Sequence, residues 1–375
     1  MISQTEYLRF LRPLLPAAAF KPNSHKLFIL AVNLLILIMG WTIARDLDRW
    51  SIIWLWLYLP FSLIMGNSII ICLFAAHDSM HGSTIRQPGL RYLFSFLALA
   101  LLWMPPTLWK AVHNHKHHTE TNAISDPDRS YLIQQSNTWG KWIQNLFVPS
   151  SEVNWALLIL GMATSWLVHT FRHITAILIF NDFEVTYVPA PVVVSTTKRW
   201  KIGLELLAIT LVHLGILTFL KFNALAILLA YVVPLSIGYA GVMFYIYTNH
   251  FLCPMTDIND PLVNSVSLKM PKVFDLLHFN FSYHTEHHLF PSINSDYYPL
   301  VQELLQTHYP ESYNLIPFGE AWQLLLSTPR HYRDEITLTD RLGKETVTCP
   351  YAKNREHFQD RVILGGYPIS NSKQS

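Results

Sequence analysis

Histidine is the residue whose number and spacing point to chemistry. There are 18, and ten of them fall into three short clusters and one isolated position. The clusters are His77-Asp78-Ser79-Met80-His81, His113-Asn114-His115-Lys116-His117-His118 and His284-Thr285-Glu286-His287-His288, with His250 standing apart. Neutral imidazole is a ligand for iron, zinc, copper and nickel alike, so the residue type alone does not choose a metal. On an α-helix, His77 and His81 at i and i+4 share one face, with Cβ atoms about 5–6 Å apart. Adjacent histidines preceded by another three or four positions earlier put two rings on one face and a third about 100° round, enough to reach two neighbouring ions. A solitary H-x-x-x-H pair is more often hydrogen-bonded and structural. Three clusters on one predicted side make independent structural roles a poor explanation and point to a metal centre.

The elements that must position these rings are apolar. Hydrophobic residues make up 51% of the chain and charged residues 14%, against roughly 25% charged in an ordinary soluble domain, which makes lipid the expected solvent. Leu27 to Ala44 and Trp50 to Ala76 are apolar runs of spanning length, separated only by residues 45–49; the short link predicts an antiparallel hairpin. A second hairpin follows from Ile202 to Leu220 and Ala224 to Tyr247 around Lys221-Phe222-Asn223. The second run, as helix, reaches about 40 Å and exceeds the hydrocarbon core by ~10 Å. Each hairpin's returning helix therefore carries histidine just beyond the membrane. Basic residues such as Arg9, Arg12, Lys110, Lys116, Lys198 and Arg199 crowd the histidine side and few lie opposite, so the histidines and both termini are expected to be cytoplasmic.

Tyr92 to Pro105 is too short to cross, and Trp155 to Phe180 is broken by His169, Arg172 and His173; both are read as re-entrant or interfacial. The expected divisions are an interfacial or cytoplasmic N-terminus over 1–26, a membrane catalytic domain over 27–306, and a cytoplasmic tail over 307–375, where apolar periodicity weakens. The net charge of +2 leaves no footprint for nucleic acid. Cys72, Cys253 and Cys349 are odd in number and scattered, against a disulfide framework.

The motifs His77-x-x-x-His81, His113-x-x-x-His117-His118 and His284-x-x-His287-His288 resemble the three histidine boxes of the membrane fatty acid desaturases. The segment from Asn280 through Pro291, with Tyr297-Tyr298-Pro299 after it, is similar to that family's third-box region. The resemblance runs from about Trp50 to Asn314. It implies an all-α integral membrane protein, four transmembrane helices in two hairpins, interfacial helices and a cytoplasmic di-iron cap. It further implies two iron ions held by His77, His81, His113, His117, His118, His250, His284, His287 and His288, with no catalytic residue beyond these ligands. His115 is the alternative to His113 in the second box. Ile246 stands where some members have an asparagine supporting a metal-bound water, with Asn249 and Asn280 as weak substitutes. The implied reaction is oxygen-dependent desaturation of a lipid acyl chain, fed by a separate ferredoxin or a small cytochrome with its reductase.

Carotenoid hydroxylases and ketolases, alkane monooxygenases and oxidative decarboxylases share these boxes and stand as rival readings. A histidine-rich metal transporter is the rival outside enzymes, but it would favour ligands near the bilayer midplane, where only His213 lies. Metal-bound histidines usually donate their second N–H to a carboxylate or carbonyl. Asp78, Glu120, Asp126, Asp128, Asp257, Asp260 and Glu286 lie close enough in sequence to serve. His169 and His173 repeat the i, i+4 spacing without an adjacent-histidine box and read as an interfacial pair. Glu205 and His213, inside the third span, read as interhelical hydrogen-bonding groups, with a part in a substrate tunnel as the alternative.

Overall fold

The computed structural model describes residues 1–127, 147–185, 190–250 and 252–352; Asp128 lies outside them. In chain order the principal helices are α1 (Gln4–Leu11), α2 (His25–Ala44), α3 (Ile52–His81), α4 (Pro88–Ala100) and α5 (Pro106–Trp109), which runs into a π-helix over Lys110–His117. Then come α6 (Trp155–Thr175), α7 (Thr196–Phe219) and α8 (Ala224–Asn249), the last with a π turn at Leu228–Val232. Four of the described helices, α2, α3, α7 and α8, are long and apolar enough to cross a membrane. α4, at 13 residues, spans about 20 Å and falls short of a ~30 Å core.

The 30 residues of α3 extend about 45 Å, well beyond that core. Its first turns expose Ile52, Ile53, Trp54, Trp56 and Leu57, as lipid-facing positions do, whereas nearly every residue from Met65 to Ser79 is buried. The crossing with α8 is made close by glycine: a Cβ on Gly66 would stand 2.5 Å from Ile237 Cγ2, and one on Gly238 would stand 2.5 Å from Ile69 Cγ2. Without an oil–water difference to drive helices together in lipid, such close backbone approach is what holds them.

The two pairs of spans are built differently. α2 packs along α3, and Tyr58 donates to the Gly40 carbonyl at 2.8 Å. α8 instead leaves its sequence neighbour α7 and packs chiefly along α3 and α6. α7 is tied in by polar groups. The His213 ring stacks on Trp103 at 4.0 Å, its Nε2 faces the Ala100 carbonyl at 2.9 Å and its Nδ1 faces the Tyr231 hydroxyl at 2.8 Å. Glu205 accepts from the Tyr92 hydroxyl at 2.7 Å and the Thr107 amide at 2.9 Å, holding the start of α5. Both residues therefore join helices.

Above these helices sits a cap containing α9 (Pro261–Asn264), α10 (Lys272–Leu277), α11 (His284–Leu289), α12 (Tyr298–His308) and α13 (Phe318–Ser327). Short strands accompany this mostly helical architecture. Strand β1 (Ser267–Lys269) pairs in parallel with β2 (Leu315–Pro317), and β3 (His331–Tyr332), β4 (Thr337–Thr339) and β5 (Thr346–Thr348) form an antiparallel sheet. Strands of two or three residues are too short to leave a period-two pattern.

The N-terminal segment, expected at the interface, packs against this cap: Gln4 donates to the His288 carbonyl at 2.7 Å, and the Ile2 amide and Tyr7 hydroxyl both donate to Asp260. Past residue 306 the described chain continues in contact with the rest, with the Tyr332 hydroxyl donating to the Cys253 carbonyl at 2.6 Å.

Candidate metal centre

The first box closes α3. Gly82, at φ +84°, ends the helix, and its N–H returns to the Ser79 carbonyl at 2.9 Å. The left-handed turn costs glycine little, and His77 and His81 lie on the last helical turns with their rings edge to face at 4.9 Å. The second box is wound as a π-helix, with the His118 amide donating to the His113 carbonyl at 3.2 Å. An i, i+5 register narrows the angle between His113 and His118 relative to an α-helix, and their rings meet at 4.9 Å. On an α-helix the i, i+4 pair His113 and His117 would share a face; here His113 is grouped with His118, and His117 belongs to the other group. The third box is α-helical, on α11, and His250 follows α8 directly.

These elements bring together all nine expected ligands in two groups. His77, His81, His113, His118 and His287 form one; His117, His250, His284 and His288 form the other. Within each group the available ligand atoms lie within 4.8 Å of one another. His115 is exposed and belongs to neither.

The donor set fits a transition metal. His118 Nε2 faces His287 Nε2 at 3.1 Å, while His284 Nε2 faces His250 Nε2 at 2.7 Å and His288 Nε2 at 3.1 Å. Two nitrogens at right angles on one ion, each bonded at about 2.1 Å, stand about 3 Å apart. The Nε2 atoms of His77 and His81 are buried with no hydrogen-bond partner among the described residues. Burial, and then the neighbouring rings, hold His118, His284, His287 and His288 well below the usual imidazole range. Neutral rings keep the lone pair that a metal needs.

The second ring nitrogens are held in turn. His117 Nδ1 faces the buried Asp126 carboxylate at 3.0 and 3.1 Å, and His250 Nδ1 faces the Asn264 carbonyl at 2.7 Å. His287 Nδ1 meets the Tyr298 hydroxyl at 3.1 Å, and His77 Nδ1 lies 3.4 Å from Asp78. Asp78 is mainly engaged elsewhere, by Lys26 at 2.6 Å and Ser295 at 3.0 Å. The other nearby acids do different work. Glu120 pairs with Lys116 on the surface, Asp257 is exposed, and Asp260 anchors the N-terminus. Glu286 is buried among Ser267, Tyr313 and Gln302, and burial pushes its carboxyl up to about 7. Asn249 Oδ1 is buried without a partner among the described residues, whereas Asn280 donates to the Ser295 carbonyl.

A cavity of about 1220 Å³, open mouth included, adjoins both groups through His77, His113, His117, His250 and His284. Its walls are mainly apolar, with Leu73, Met104, Leu108, Trp109, Val112 and Met243 among them. Tyr332 also lines it. That residue lies in the stretch read as a tail, where no periodicity marked it.

Fold and site define a helical protein with four membrane-length apolar helices and a polyhistidine centre able to hold metal. The family model described as Fatty acid desaturase matches residues 54–318, and the chain belongs to that family of oxidoreductases. No curated protein matches the chain significantly.

Proposed function

We propose that this protein is an oxygen-dependent fatty acyl desaturase that introduces a double bond into a membrane lipid chain with two histidine-held irons. The observation that carries the reading is the convergence of nine buried or half-buried imidazoles, in groups of five and four, with five of them lining a largely apolar cavity. Two irons bound by these groups would supply the oxidising power for C–H cleavage with dioxygen.

The chain's own residues do the remaining work. His77, His81, His113, His118 and His287 hold one ion, and His117, His250, His284 and His288 hold the other. The Asp126 carboxylate and the Asn264 carbonyl accept the Nδ1–H of His117 and His250, which selects the tautomer with Nε2 free to bind metal. Leu73, Met104, Leu108 and Trp109 receive the acyl chain and keep water from the reacting carbons. The centre and both termini lie on the cytoplasmic side, where a ferredoxin or a small cytochrome delivers electrons one at a time.

Expression in a heterologous host, with mass analysis of its lipids, tests this. The expected product is lighter than its precursor by two hydrogens. A product heavier by one oxygen identifies a hydroxylase on the same scaffold. Purified protein containing about two irons per chain and consuming dioxygen with reductant excludes simple metal transport.

A further inference from the structure

One histidine pair is not used by the metal groups. Trp166, His169 and His173 occupy one face of α6, at i, i+3 and i+7, and all three line the cavity that His113 and His117 also line. The Nε2 atoms of His169 and His173 lie 3.1 Å apart, with the rings edge to face at 86°. His173 is buried and His169 half-buried. The face is locked in place: the Trp166 indole N–H donates to the Leu102 carbonyl at 2.8 Å, and Arg172 donates to the Pro127 carbonyl at 3.1 Å. Pro127 directly follows Asp126, the carboxylate that receives His117 Nδ1–H.

Desaturation has a proton requirement that an apolar cavity does not meet. Converting –CH2–CH2– to –CH=CH– breaks two C–H bonds, and these supply two hydrogens and two electrons. Breaking the O–O bond and forming two waters takes two further electrons, from an external one-electron carrier, and two further protons, from solvent. Tyr332 lines the cavity, but its hydroxyl proton is committed to the Cys253 carbonyl. Imidazole accepts a proton at one nitrogen and releases it from the other, and its ordinary pKa lies close to neutrality. His169, half-buried, and His173, buried, are joined through Nε2 in the arrangement that proton transfer between rings requires.

We propose that His169 and His173 carry solvent protons into the cavity for the reduction of dioxygen. This rests on the desaturase reading. The geometry favours proton transfer over recognition of a substrate's polar end, because each ring directs its Nε2 at the other.

The experiment compares wild-type protein with His169→Gln and His173→Gln, iron-loaded, in vesicles of the expression host's lipids and supplied with reduced ferredoxin. Glutamine keeps hydrogen-bonding capacity and loses the relay. Turnover is expected to fall on the order of a hundredfold, with iron content and KM for the lipid unchanged, hydrogen peroxide released in place of water, and partial rescue by added imidazole. Unchanged turnover without peroxide overturns the relay. So does a raised KM with normal coupling, which makes the pair a binding site for the lipid's polar end, and so does loss of iron. If the wild type forms no double bond, the desaturase reading fails and the relay falls with it. If the wild type desaturates and the variants match it, the relay alone fails.

Discussion

His113 and His118 belong to the same histidine group, and the helix between them is π-wound, the His118 amide reaching the His113 carbonyl at 3.2 Å. In an α-helix five residues turn through about 500°, leaving these two rings roughly 140° apart. The wider π turn narrows that gap, while His117 meets the rings of the other group, His250 at 4.9 Å and His288 at 5.1 Å. Such turns are rare, and frequently mark functional sites.

The first prediction separates His113 from its exposed neighbour. His113→Ala and His118→Ala are expected to lower bound iron and turnover by at least the 10–100-fold typical of losing a ligand's supporting contact. His115→Ala retains both. Metal analysis of the three purified variants, alongside oxygen uptake, checks the assignment, and retention of two irons by His118→Ala contradicts it.

A second concerns the Lys26–Asp78 pair, with Lys26 2% exposed and Asp78 5% exposed. Removing one member of a buried pair strands the other charge, at a typical cost of about 3–5 kcal/mol. Lys26→Met is therefore expected to lower the unfolding temperature sharply. Lys26→Met combined with Asp78→Asn recovers much of the loss. A double variant no more stable than the single one removes the stranded-charge explanation.

The α3–α8 crossing offers a third test. At Gly238 a valine would drive its Cβ into Ile69, and overpacking of this kind typically costs about 1–3 kcal/mol. Gly203, on α7, has nothing within 4 Å of where a Cβ would go, so Gly203→Ala leaves stability unchanged or raises it. Thermal unfolding in a single detergent ranks the two. Equal effects would mean the crossing is not close-packed.

Acidity supplies the fourth. His118, His284, His287 and His288 remain neutral when folded because burial and neighbouring rings lower their pKa values from 6.5. The unfolded chain then binds more protons than the folded one once the pH drops toward that value, so folding stability rises with pH and is lost on acidification. Metal-free protein should melt at progressively lower temperature below about pH 6.5. The metal-loaded protein should release its ions in the same window as protons compete for the rings. A melting temperature flat from pH 7 to pH 5 contradicts burial of neutral imidazoles.

Much of this molecule was legible in the order of its residues. Apolar runs of bilayer length announce the four spans because lipid imposes length and composition locally, and histidines at the ends of two long runs announce a site just beyond them. What local pattern does not encode is how remote pieces meet. The division of nine imidazoles into five and four depends on how the ends of α3 and α8, the second box and α11 meet, with His287 reaching His77 at 4.3 Å and His117 reaching His250 at 4.9 Å. The choice of Asp126 over Asp260 or Glu286 as a histidine's partner depends on which carboxylate the fold carries to a ring. The cavity, with Tyr332 brought from a stretch without periodicity, exists only between packed elements. Helix length and side-chain chemistry are properties of neighbouring residues, whereas coordination, second-nitrogen support and enclosed volume arise from contacts between segments far apart in the chain.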